Sequence, residues 1–236
     1  MRPASLLLMA MAVTAAAQTA DRSAAPPSGA KAAPPAHTGN YAVQNGQLMV
    51  APGLHIPNGN LPWALDTVDG KQVLVPVHGT LLAGPAASDT GTLDGAGSRT
   101  PLHSTAPVFF LHTSDRTENT GDSGRGSPTG WALLAVSVSG NARTVDRPKF
   151  ADVNKATVCA PPVLCTLAES LPDGWLRIST RDPLAPGEYA LVPVQKTTPT
   201  SGNQLAYDFT VGGNKPAAVD AVSPGQNLDT KRKNKR

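Results

Sequence analysis

Apolar and polar residues alternate with a period of two through most of the chain between residues 71 and 212. In "KQVLVPVHG" (71–79) Val73, Val75 and Val77 fall on one face. Pro76 in the same run has no N–H to give to a sheet ladder and predicts an edge strand. "APVFFLHT" (106–113) predicts a short apolar strand. "GWALLAVSVSG" (130–140) is the longest apolar run; it places Ala132, Leu134, Val136 and Val138 inward and predicts a central strand. "GWLRISTR" (174–181) alternates Leu176 and Ile178 against Arg177 and Ser179. "GEYALVPV" (187–194) and "LAYDFTVGG" (205–213) follow, the latter with Leu205, Tyr207, Phe209 and Val211 on one face and Asp208 outward.

Such alternation, rich in β-branched and aromatic residues and bounded by Gly and Pro, is the mark of strands. No stretch after the N-terminal segment shows a 3.6-residue period. "VDG" (68–70), "LPDGW" (171–175) and "PLAPGEY" (183–189) carry the residues that tight turns require, and Asp69-Gly70 is a hairpin corner. The expected fold is all-β, an antiparallel sandwich or half-open barrel, with an immunoglobulin-like arrangement anticipated for the C-terminal half.

The ends differ from this pattern. "MRPASLLLMAMAVTAAAQTA" begins with one cation, Arg2, then an apolar run that closes on Ala15-Ala16-Ala17. This predicts a signal peptide over 1–17, because the run is too short for a membrane span and ends in small residues. Residues 18–37 are an Ala/Pro/Ser-rich spacer with almost no bulky side chain to bury, and 214–236 are read as a basic disordered tail. A β-rich domain over 38–213 remains, or two small β modules divided near 113–130. The expected location is the periplasm, cell surface or extracellular space.

The formal charge of +3 suggests an anionic partner, but its distribution changes the picture. Removing Arg2 and the five tail cations Lys231, Arg232, Lys233, Lys235 and Arg236 from +3 leaves −3 for residues 18–230. The body is mildly acidic and the basicity belongs to the tail, which is suited to an anionic polymer or an envelope protein. Without interleaved aromatic residues to stack on bases, nucleic acid is disfavoured. The two cysteines, Cys159 and Cys165 in "VCAPPVLC", are expected to form a disulfide in an oxidising compartment.

Three phrases, "LDTVDGKQVLVPVHGT" (65–80), "TAPVFFLHTSD" (105–115) and "PLAPGEYALVPV" with "LAYDFTVGG", resemble segments of uncharacterised exported β-rich bacterial proteins. In those proteins a VDG hairpin comes early and a PGEY…YDF strand pair closes the domain. The resemblance spans about residues 41–212. It implies the fold and export, and it carries no catalytic residue or known activity.

Motifs with catalytic echoes fail on context. "GDSG" (121–124) places Ser123 as in chymotrypsin-like proteases, yet residues 113–130 contain no large apolar side chain to fix a nucleophile and oxyanion hole. "SDTGT" (88–92) echoes aspartic proteases but follows "AGPAA" instead of an apolar strand, and it has no second copy. A metal site is the strongest chemical candidate: His78, His103 and His112, with Asp115, lie near strand ends, although none is spaced as a metal motif. Asp66 is expected to accept turn amides. Trp63, Trp131 and Trp175 are candidate sugar platforms, more simply read as packing at core edges. The favoured function is a non-enzymatic binding or structural module of the cell envelope, without a cofactor. The alternative is a secreted hydrolase, with or without a metal, built on strand-end His and Asp residues.

Overall fold

In the computed structural model of the chain, which describes residues 41–44, 47–57, 61–85, 88–112, 130–148, 163–194, 204–212 and 215–226, seventeen β-strands form three sheets. The described residues are all-β, with a single 3-10 turn at Pro172–Gly174 and no helix long and apolar enough to cross a membrane. The expected signal peptide, the spacer, Asp115, Ser123, Cys159 and the five tail cations lie outside the described residues.

The first long hairpin joins β4 (Trp63–Val68) to β5 (Lys71–Pro76) in uninterrupted register from Trp63 opposite Pro76 to Val68 opposite Lys71. Asp69 and Gly70 between them have φ of 51° and 74°, the two positive values that a two-residue type I′ turn demands. These strands belong to a five-stranded sheet ordered β14 (Thr166–Ser170), β15 (Trp175–Thr180), β9 (Val108–His112), β4, β5. Pro76 therefore lies on an edge strand, as its missing N–H requires.

The large sheet runs β11 (Ser137–Ser139), β12 (Ala142–Asp146), β7 (Thr90–Leu93), β6 (Gly79–Ala83), β17 (Gln204–Val211), β16 (Gly187–Val194), β10 (Gly130–Ala135), β13 (Val163–Leu164). This eight-strand path is antiparallel throughout and curls into a half-barrel. One short strand, β8 (Pro101–Leu102), lies beside β17 as a parallel pairing. A small sheet of β1 (Ala42–Gln44), β2 (Gln47–Ala51) and β3 (Leu54–His55) completes the set. Strands from either side of residues 113–129 pair with one another in both large sheets, through β9 with β15 in one and β7 with β12 and β6 with β17 in the other.

Three apolar clusters separate these layers. The central one packs the five-stranded sheet, through Val75, Phe109 and Ile178, against Leu133, Leu191, Phe209 and Val211 of the large sheet. Phe109 and Phe209 meet there with ring centroids 4.9 Å apart. The second lies within the curl of the half-barrel, where Leu134, Val192 and Ala206 face Leu82, Leu93 and Val145. The third puts Trp63, Leu74, Phe110 and Trp175 under the small sheet's Leu48 and Leu54, with Val222. Strands β16 and β17 thus bury both faces, which is why they read as near-continuous apolar runs. Tyr189 fixes the entry to β16: its hydroxyl donates to the Ala185 carbonyl at 2.7 Å.

The inward set expected from alternation is right at strand centres and wrong at two ends. Ala132, Leu134 and Val136 are buried, but Val138 is 50% exposed; it belongs to β11, at the free edge of the large sheet. Leu205 is 47% exposed and lies opposite Leu81, itself 45% exposed, outside the span that the five-stranded sheet covers.

Candidate functional site

Two polar constellations are built into the apolar layers, and both touch the segment that follows β17. The first centres on Asp66. Its position in β4 shares a face with Ala64, so its carboxylate points into the central layer and is only 1% exposed. The burial is met by donors from the loop after β8. The N–H of His103 reaches both carboxylate oxygens at 2.9 and 3.0 Å, and the Ser104 N–H donates at 2.7 Å. The ring of His103 adds its Nδ1 at 2.9 Å from Asp66 Oδ2. Asp66 does accept backbone amides, but those of a loop 37 residues away instead of its own hairpin.

The opposite ring nitrogen of His103, Nε2, lies 3.0 Å from the carbonyl oxygen of Lys215. The hydrogen bond to Asp66 raises the His103 pKa above its ordinary value. Partial burial opposes that rise, while the Lys215 carbonyl and the charges of Asp66 and Asp69 support it. A histidine oriented by a buried carboxylate is a familiar general base. Here the nitrogen that would take a substrate proton is already occupied by a backbone carbonyl.

The second constellation gathers on Arg143 of β12. Arg143 shares with Val145 the face of β12 turned to the interior of the half-barrel and is 1% exposed. Its Nη2 pairs with Asp208 Oδ2 of β17 and donates to Glu188 Oε2 of β16 at 3.0 Å, while Nη1 donates to the Asp94 carbonyl at 3.2 Å. The carboxylates are further satisfied by Thr80 Oγ1 on Asp208 at 2.5 Å, and by Thr210 Oγ1 at 2.6 Å and the Ser98 N–H at 3.0 Å on Glu188. Lys215 Nζ donates to Thr210 Oγ1 at 3.0 Å and stands 3.8 Å from Glu188 Oε1. Two cations and two carboxylates thus balance in a site that joins β12, β16, β17 and the 94–100 loop. Charges this buried require partners in such number, and the arrangement clamps the curl of the sheet.

This corrects the reading of Asp208 as outward. Alternation places it opposite Tyr207 and Phe209, but because the sheet curls the second face of β17 is also interior, and Asp208 is 3% exposed. Arg143 and Glu188 escaped sequence reasoning altogether. The available signal was a lone acid in each of two strongly apolar strands, "GEYALVPV" and "LAYDFTV", which demands a buried cation. "NARTVD" reads as an ordinary surface strand, so nothing local marks Arg143 as that cation.

The three candidate metal histidines go to separate partners. His78 Nε2 lies 2.7 Å from Asp220 Oδ2, His103 bridges Asp66 and Lys215, and His112 Nε2 faces the Asp173 carbonyl at 2.8 Å. Among the described residues no three His, Cys, Asp or Glu side chains gather as a metal requires. Trp63 and Trp175 are each 6% exposed within the outer cluster, too buried to serve as sugar platforms. Trp131 is half-buried, its ring centroid 5.9 Å from that of Tyr207. Cys165 lies between β13 and β14, where its carbonyl accepts the Arg181 N–H at 3.0 Å.

The segment 215–226 is held along the domain at four points. Lys215 is fixed by the His103 ring, Asp220 by His78, Val222 by paired backbone bonds to Leu74 of 2.9 and 2.7 Å, and Gly225 by the Gly53 carbonyl at 3.0 Å. Comparisons with known protein families, with curated protein sequences and with solved structures returned no match.

Proposed function

We propose that this chain is an exported cell-envelope protein whose β-sandwich has a non-enzymatic binding or structural role. One observation carries that reading: the best acid–base pair, Asp66 and His103, is spent on holding the chain, with both ring nitrogens engaged by acceptors. Arg143, Asp208 and Glu188 are likewise buried or nearly so and paired with one another, with Lys215 on the open side of the cluster. The signal-like N-terminus and the resemblance to exported β-rich bacterial proteins support the location, and in that compartment Cys159 and Cys165 form a disulfide.

The chain's strongest local charge is the tail, Lys231, Arg232, Lys233, Lys235 and Arg236, which gives the domain a means of adhering to an anionic surface or polymer. The test is co-sedimentation with anionic phospholipid vesicles and with soluble polyphosphate, comparing a chain beginning at residue 18 with one that also ends at Thr230. Binding that requires the tail and fades with added salt supports the adhesive role. Equal, salt-insensitive binding by both chains assigns recognition to the folded domain. Absence of binding by either removes the anionic partner. Mass spectrometry before and after reduction tests the disulfide.

A further inference from the structure

We propose that residues 215–226 form a proton-operated strap, latched to the sandwich while His103 carries two ring protons and released at its Lys215 end when one is lost. The ring of His103 faces two acceptors. Nδ1 faces a carboxylate oxygen at 2.9 Å and Nε2 faces a carbonyl oxygen at 3.0 Å, and neither oxygen has a proton to give. A neutral imidazole has a single N–H and satisfies one of them; only the imidazolium satisfies both.

The proton that leaves is identified by the surroundings. Asp66 is buried and anchored by the backbone N–H groups of His103 and Ser104, so it does not turn away, and it retains the Nδ1 proton. Deprotonation therefore bares Nε2, setting its lone pair against the Lys215 carbonyl. Attraction becomes repulsion at one point of the strap. The charged groups around the ring are Asp66 of β4 and Asp69 of the β4–β5 turn, while the Lys215 ammonium reaches Thr210 and Glu188.

The rest of the strap decides how far release extends. His78 holds Asp220 by an exposed contact of 2.7 Å, with side chains 45% and 48% accessible, a weak hold that solvent competes for. Val222 is 2% exposed and bonded to Leu74 through backbone, an anchor without a titrating group. The loosened portion is therefore 215–221, hinged at Val222. Because Lys215 also reaches Thr210 and stands near Glu188, its departure uncovers the open side of the Arg143 cluster. A folded-state pKa raised above about 6.5 means the latch is complete below that pH and fails as pH climbs through the higher folded value. This device stands independently of any partner of the tail.

Carbon-13 relaxation of the backbone Cα sites in the full chain tests it at pH about 5.5 and about 8.5, either side of the ordinary histidine value. Order parameters over 215–221 are expected to fall from about 0.85 to below about 0.6 at the higher pH, with β16 and β17 unchanged. His103→Gln should abolish that fall, and His78→Asn should keep it. Nitrogen-15 NMR of the His103 ring in the unaltered chain adds a measurement independent of variant folding: loss of its second proton should coincide with the loss of order. Equal order at both pH values, a pH-dependent loss of order surviving in His103→Gln, or a ring already neutral while 215–221 stays ordered would each overturn the strap.

Discussion

Replacing Arg143 with methionine removes the one guanidinium that joins three acceptors inside the half-barrel. Asp208, 3% exposed, is left with the Thr80 hydroxyl and no cation, whereas Glu188 keeps Thr210, Ser98 and the nearby Lys215. The cost falls mainly on Asp208. An uncompensated buried charge costs about 3–5 kcal/mol, a large share of the roughly 5–15 kcal/mol that holds a domain folded. With an unfolding slope of about 2 kcal/mol per M, the urea midpoint should fall by about 2 M. Arg143→Met combined with Asp208→Leu removes both the cation and the charge it served, leaving Glu188 with its own donors. The double variant should lie within about 2 kcal/mol of the parent, giving a favourable coupling of more than about 1.5 kcal/mol in the double-mutant cycle. Equilibrium urea unfolding of all four proteins, followed by tryptophan fluorescence, supplies the numbers. A loss below about 1 kcal/mol for Arg143→Met, the range of exposed ion pairs, would refute the reasoning, because it would mean the pair is solvated.

Other consequences are equally specific. Gly91→Ala in β7 places a Cβ 2.5 Å from Leu82 Cγ and Cδ1, so overpacking should lower stability by about 1–3 kcal/mol in the same urea assay. The Cβ of Gly70→Ala meets no neighbour within 4 Å, so its cost of about 1–2 kcal/mol reflects only the φ of 74°, and Gly70→Asn should recover much of it. Phe209→Ala empties the centre of the main layer and should cost about 3–5 kcal/mol, read as a drop in thermal midpoint by calorimetry. His103 should add stability at pH 5.5–6 that declines at higher pH, since its folded pKa is raised; His103→Gln should flatten that slope in urea titrations across pH.

The legible part of this fold was what depends on neighbours two residues apart. Val73, Val75 and Val77 share the central cluster because alternation alone sorts them, and Asp69-Gly70 forms its turn because few other pairs tolerate two positive φ values. Period two reports that a strand has two faces, but not that both are covered. That second fact depends on the curl of the large sheet, set by contacts between residues as distant as Arg143 and Asp208, and this is how Asp208 came to be read as exposed. Strands β6, β7 and β12 are short, with "GTLLA", "TGTL" and "ARTVD" offering little apolar contrast, so their role in closing the half-barrel was invisible. The histidines were correctly found near strand ends, yet their separate partners, Asp220, Lys215 and Asp173, lie in turns and in the strap that no motif announces.

The order of strands also dictates when the molecule can assemble. The final strand, β17, occupies the middle of the large sheet, between β16 beside it in sequence and β6, whose Leu82 pairs with Gln204 across more than half of the chain. Closing so long a loop is entropically costly, and topologies dominated by such pairings fold on millisecond-to-second timescales or slower. A chain delivered N-terminus first, by a ribosome or through a membrane pore, holds β6 and β7 ready but without a template until the last strand emerges. Until then two sheet edges stay open, and a protein truncated before residue 204 would keep them open permanently, inviting association between copies instead of closure within one.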